Sequence, residues 1–212
     1  GDTLCWIGSN LEPQLFAAVR VNTTGWSTPA SRGYISNQNL HKALIGKQHV
    51  IVTPEEFRSA AERLKRAHEQ YTPSEQWLVV SDEEVYNEFS SGTPDASAIR
   101  WMMKYLYDTA PEESKPRSLL LFGDGSFDNR QILKTSPKPV LLTYQAINST
   151  VETEAYATDD YFGWLRDNDG KSGTQWKDAV AQMSIGVGRL PINTYEEADA
   201  AVNKIIAYMS NS

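Results

Sequence analysis

The chain has 212 residues, 40% of them hydrophobic and 22% charged, with a formal net charge of -7. That composition suits a globular α/β domain with or without an appendage, and the acidic balance argues against a surface built for nucleic acid or anionic lipid. No apolar run approaches the roughly 18 residues needed to span a bilayer, and a single cysteine, Cys5, excludes an intrachain disulfide and a cysteine-based metal centre.

The chain opens on Leu4-Cys5-Trp6-Ile7 with no initiating Met and no signal peptide, so the expectation is a piece of a longer protein. Cys5 would need a nearby base to act as a nucleophile, and His41, His49 and His68 are all distant in sequence. Leu15 to Val21 reads as a strand, and Asn22 to Gly25 and Ser27 to Pro29 carry turn chemistry. Residues 1–33 are therefore read as a short β segment, the tail of a preceding β domain. Residues 34–212 form the α/β part. A linker with a short turn at Asn39 to Leu44 leads into it.

His49 to Val52 is the first predicted strand of that part. Thr53-Pro54-Glu55-Glu56 reads as an N-cap, a first-turn proline and two acids. Phe57, Ala60, Ala61, Leu64, Ala67 and Tyr71 then recur at helical spacing, predicting one amphipathic helix over 54–71. Its Arg58, Arg63, Lys65 and Arg66 belong to a solvated face. Trp77 to Val80 is the second strand, and Asp82 to Asn87 a short helix or turn. Thr93-Pro94-Asp95 repeats the helix start, and Ile99, Met102, Met103, Leu106 and Tyr107 form the buried stripe of a helix over 94–109.

Ser118 to Phe122 is the central strand. It runs straight into Gly123-Asp124-Gly125, which places Asp124 and Asp128 just past its C-terminal end. In open α/β sheets that edge is where ligands and chemistry collect. A short strand is expected at Val140 to Leu142, within a long loop. Asp159-Asp160-Tyr161-Phe162 places two acids beside aromatics, and Asp167 to Gly170 reads as a turn closing a hairpin. Ser184 to Pro191 is the last strand. Asn193-Thr194 caps a final helix whose apolar face is Ala198, Ala201, Val202, Ile205, Ile206 and Met209. The alternation predicts an α/β fold, a three-layer unit of flavodoxin-like kind with a mainly parallel sheet.

The chemistry is less explicit. Gly123 to Ser126 lacks the spacing of a phosphate-binding loop. Asp124, Asp128, Asp159 and Asp160 could ligate a hard cation, or they could shape turns and a rim that meets a polar partner. Asp167-Asn168-Asp169-Gly170 lacks the further ligands of a calcium loop. No Ser-His-Asp order and no His/Glu metal spacing can be assembled from sequence. A non-enzymatic binding module of flavodoxin or receiver type, holding a nucleotide or Mg²⁺ at Gly123 to Gly125, stays open on these grounds.

Several segments together resemble the gingipain-type cysteine peptidases. They are Asn37 to His41, Asn87 to Ala96, Leu119 to Asp128, Thr158 to Gly163, Ile185 to Pro191, and the final helix from Glu196 to Tyr208. Within that family they are most similar to the branch that serves the type IX secretion system as a sortase. The resemblance implies that residues 34–212 are the first of two caspase-like subdomains, with the catalytic Cys and His on the second. No residue here matches either catalytic position, and Cys5 lies outside the matched span. The resemblance also implies a scaffolding role for this subdomain, with Asp124, Asp128, Asp159, Asp160, Tyr161 and Phe162 shaping an interface or cleft, and no cofactor or metal. It further implies as partners the catalytic subdomain, protein substrates with C-terminal sorting signals and other type IX components. The implied location is the outer-membrane surface of a Gram-negative bacterium, where cargo is joined to lipopolysaccharide.

Overall fold

The computed structural model describes residues 30–31, 33–130, 132–133, 141–146, 151–153, 155–167, 169 and 182–211. The chain divides into two compact units, residues 1–36 and 37–212. Cys5 and the expected strand at 15–21 lie outside the described residues, as do Asn168 and Gly170 of the Asp167 to Gly170 turn.

The second unit is built on four parallel strands: β1 (His49–Thr53), β2 (Trp77–Ser81), β3 (Ser118–Phe122) and, numbered after a small ribbon, β6 (Gly186–Leu190). Their spatial order is β2-β1-β3-β6. The ribbon pairs β4 (Tyr144–Gln145) with β5 (Ala157–Thr158) in antiparallel fashion. The described residues of the unit also form five α-helices: α1 (Leu40–Ala43), α2 (Arg58–Tyr71), α3 (Asp82–Phe89), α4 (Ala96–Thr109) and α5 (Tyr195–Ser210). No described helix is long and apolar enough to cross a membrane.

Side-chain alternation along the strands produces two cores. Val50, Val52, Val80, Leu119 and Leu121 point to one face and pack with Ile99, Met102, Met103 and Leu106 of α4 and Val85 and Tyr86 of α3. Ile51, Val79 and Phe122 point to the other and pack with Phe57, with Ala60, Ala61 and Leu64 of α2, and with Ala198 and Val202 of α5. Period two in the strands and period 3.6 in the helices thus yield three layers. Each fully buried Leu, Ile or Phe contributes roughly 1.5–3 kcal/mol. Arg63 of α2 contacts Asp199 and Asn203 of α5, so part of the predicted solvated face joins two helices.

Local starts differ from the expectation in instructive ways. Thr53 does not cap a helix. It is the last residue of β1, and its buried Oγ1 donates to the Phe122 carbonyl on the neighbouring strand at 3.1 Å. A 3-10 turn over Glu55–Phe57 intervenes, and the α-helix begins at Arg58. The fourth helix starts at Ala96 rather than residue 94, because Asp95 is the cap and accepts from the Ser97 N–H at 2.7 Å. The short helix after β2 extends to Phe89, fixed by a Ser81–Glu84 capping box. The described short strand lies at Tyr144–Gln145; of the strand expected at Val140 to Leu142, Val140 lies outside the described residues and Leu141 and Leu142 are not in a strand. Leu141 is buried in the core, and its N–H donates to the Asp124 carbonyl at 2.9 Å, so it follows the turn after β3 instead of pairing in a ladder.

Candidate functional site

Every strand of a parallel sheet delivers its C-terminal residues to one edge. Here that edge gathers Thr53 and Pro54 at the end of β1, Ser81 and Asp82 at the end of β2, Gly123 to Asp128 after β3, and Arg189 to Asn193 on and after β6. Two backbone bonds extend the β3–β6 ladder past its end: Gly123 N–H to the Leu190 carbonyl at 3.0 Å and Asp124 N–H to the Ile192 carbonyl at 2.9 Å.

Asp124 shapes the turn. It accepts from the Gly125 N–H at 2.8 Å and from Asn193 Nδ2 at 3.0 Å. A Cβ on Gly125 would lie 2.4 Å from Thr143 Cγ2, so only glycine lets the segment from Leu141 to Thr143 pass this close. That segment is sewn down by Thr143 Oγ1 donating to the Ser126 carbonyl at 3.1 Å and Asn129 Nδ2 donating to the Thr143 carbonyl at 2.7 Å. Asp128 accepts from the N–H groups of Ile132 (2.9 Å) and Leu133 (2.7 Å). The apolar side chains there stay in solvent: Phe127 is 68%, Ile132 71% and Leu133 59% exposed.

Asp159 is held by Arg189 in a bidentate pair, Nε to Oδ2 and Nη2 to Oδ1, both at 2.8 Å. The same guanidinium donates to the Gly123 carbonyl at 3.0 Å and the Leu142 carbonyl at 3.3 Å. One arginine thereby ties β6, the turn after β3, the 141–143 segment and the aromatic loop together. A fork of planar donors suits this task, and lysine could not reproduce it. Asp160 begins a 3-10 turn and is exposed. Tyr161 stacks on Tyr144 at 4.0 Å, its hydroxyl meets Ser97 Oγ at 3.1 Å, and Arg100 lies over its ring at 5.2 Å. Phe162 is wholly buried and supports the loop from beneath.

The four aspartates do not converge. Among the described residues no three His, Cys, Asp or Glu side chains are placed to hold one metal ion. The reading of an acid cluster for a hard cation is corrected accordingly: three of the carboxylates each serve a separate local bond network.

Sequence reasoning missed three features. Arg189 is the hub, and its signal was a lone cation within an otherwise apolar and glycine strand. Asp82 begins α3 at the same edge. Burial pushes its carboxyl up to about 6, the adjacent Glu83 charge adds to this, and bonds from the Glu83 and Asp82 N–H groups partly offset it. Burial also raises the Tyr86 phenol, with the Asp82 charge contributing. Third, a serine, a histidine and a glutamate do come together, at the opposite edge. Ser118 Oγ lies 2.7 Å from His49 Nδ1, and Glu75 Oε2 lies 3.4 Å from His49 Nε2. His49 and Ser118 are register partners on β1 and β3, a proximity set by strand pairing.

Comparison with known proteins adds to this geometry. Residues 43–212 match the family described as Peptidase family C25. The structure is similar to a crystal structure of dimeric latent PorU from Porphyromonas gingivalis, with a TM-score of 0.69 and 37% sequence identity. The match covers 84% of this chain and 17% of that one, so the chain spans about a sixth of its relative's length. A comparison with curated protein sequences found no match.

Proposed function

This chain belongs to peptidase family C25, the gingipain family, and from that premise we propose that it is the non-catalytic first α/β subdomain of a PorU-like cysteine peptidase. Its task is to scaffold a catalytic subdomain carried elsewhere in the same protein and to shape one wall of the substrate cleft. The observation that carries this reading is the 37% identity to PorU over 84% of the chain. The geometry agrees in kind. Asp124, Asp128 and Asp159 at the sheet's C-terminal edge are engaged in holding turns, and Phe127, Ile132, Leu133 and Tyr195 stand exposed nearby. Covering these side chains would favour docking by removing apolar surface from water. Asp160 and Tyr161 would lie along the cleft rim.

For the whole protein we read the activity as that of a sortase. It would remove C-terminal sorting signals from type IX secreted cargo and join the cargo to surface lipopolysaccharide. It would work with other type IX components at the outer membrane of a Gram-negative bacterium.

The test separates scaffold from catalyst. The 212-residue chain alone should show no iodoacetamide-sensitive peptidase activity. Mixed with the remaining peptidase region of the same protein, it should form a complex visible by sedimentation. Phe127→Ser with Leu133→Ser should weaken that complex at least tenfold while the chain stays folded, since losing about 1.4 kcal/mol suffices. Activity in the chain alone, or a complex indifferent to the double variant, would overturn the reading.

A further inference from the structure

At the N-terminal edge of the sheet the chain assembles an aromatic stack that the scaffold reading does not use. The Trp77 indole stacks on the His49 imidazole at 4.3 Å and on the His68 imidazole at 4.2 Å, with interplanar angles of 18° and 16°. Three elements supply these rings: His49 opens β1, Trp77 opens β2, and His68 lies in the last turn of α2. Alternation puts His49, Trp77 and Ser118 on the face that α2 covers. His49 and Trp77 are each only 8% exposed. Among the described residues neither His49 Nε2 nor Trp77 Nε1 has a hydrogen-bond partner, although Glu75 Oε2 stands 3.4 Å from the former.

We propose that the His49–Trp77–His68 stack is an acid-released latch: with both imidazoles neutral it fastens the end of α2 and the turn at residues 72–76 to the sheet, and protonation loosens that corner. A stack joining a helix end, a turn and two strands is a bistable joint of the kind that histidine clusters supply to pH-responsive proteins.

The groups facing the stack set the sign. Glu75, in the turn, is 3.4 Å from His49 Nε2 and favours the charged imidazole. Arg117, just before β3, opposes it and is itself 3.5 Å from Glu75. His68, from α2, opposes it as well, and Ser118 is neutral. Burial outweighs all of these at His49 and also dominates at His68, so both titrate below the ordinary 6.5. The indole face attracts one imidazolium, but a second would place two like charges on a single ring. At these two imidazoles the native state therefore binds fewer protons than the unfolded chain below pH 6.5. The contribution to stability is complete above that value and is lost as pH falls through the lowered pKa values.

Because the chain has six tryptophans, fluorescence would not isolate Trp77. The test is hydrogen exchange by mass spectrometry on the 212-residue chain, with peptides over residues 66–78, corrected for intrinsic rates. Between pH 7.5 and 5.0, exchange there should rise severalfold, because the native stack disfavours protonation and acid shifts its equilibrium toward the open form. His68→Gln, which stays neutral, should cut that rise by about half or more, since one titrating site of the pair is removed. The His49 and His68 ring nitrogens should titrate below 6.5 by NMR. No local rise in the unmodified chain, or an equal rise in His68→Gln, would overturn the latch. Covalent labelling of Ser118 by a fluorophosphonate would also overturn it, by showing that His49 serves a nucleophile instead.

Discussion

The two ends of the same sheet treat charge in opposite ways. At the C-terminal edge Asp124, Asp128 and Asp159 each accept bonds from a neighbour, and Arg189 joins four segments through one guanidinium. At the N-terminal edge two imidazoles are kept neutral against an indole. Acid disfavours the second arrangement. It favours Asp82 at the first edge, whose carboxyl is raised to about 6. The titrating groups at the two edges therefore respond to acid with opposite signs, while Arg189 and the Asp159 it serves add fixed ionic bonds at the first edge.

The comparison can be broken most forcefully at Arg189. Arg189→Ala should cost about 3 kcal/mol, because it strands the Asp159 carboxylate and two carbonyls. Urea unfolding should show a lower midpoint at unchanged slope, and Arg189→Lys should recover less than half. A smaller effect belongs to the close approach at the turn. Gly125→Ala should cost about 2 kcal/mol through overpacking against Thr143 Cγ2. In a Thr143→Ser background, which keeps the hydroxyl and removes that methyl, the cost should drop below about 1 kcal/mol.

Asp82 tests the sign of the pH response. Its carboxyl contributes stability fully below 3.8 and loses it as pH rises through about 6. Asp82→Asn should thus stabilise by about 1 kcal/mol at pH 7.5, a figure discounted for partial exposure, and the gain should vanish below about pH 4. Opposite pH trends in thermal midpoint for Asp82→Asn and His68→Gln would sharpen the contrast between the edges; parallel trends would erase it. The smallest effect is expected at Asp160, which is exposed. Asp160→Ala should shift stability by no more than about 0.5 kcal/mol, and any larger consequence should appear only in substrate or subdomain binding.

Much of the fold was legible before any coordinates. Ser118 to Phe122 fell where its apolar run and terminal glycine placed it, and the stripes on α4 and α5 predicted the faces that are buried. The family was legible too, from the order of several weak segments. Helix starts were less so. Thr53-Pro54 and Thr93-Pro94 carry the same local signal, yet Thr53 is claimed by a cross-strand bond to Phe122 and Asp95 takes the capping role in the second case. In both, a tertiary or neighbouring partner outbid the local propensity.

By itself the sequence determined the periodicities, and with them the layers, the strand that ends at Gly123 and the placement of acids beyond it. Those depend on residues close along the chain. Only the tertiary structure decided what the acids do, because their partners are remote: Arg189 lies 30 residues from Asp159 and Asn193 lies 69 from Asp124. It also decided that His49, His68, Trp77 and Ser118 meet, since parallel pairing and helix packing bring together residues that no local pattern connects.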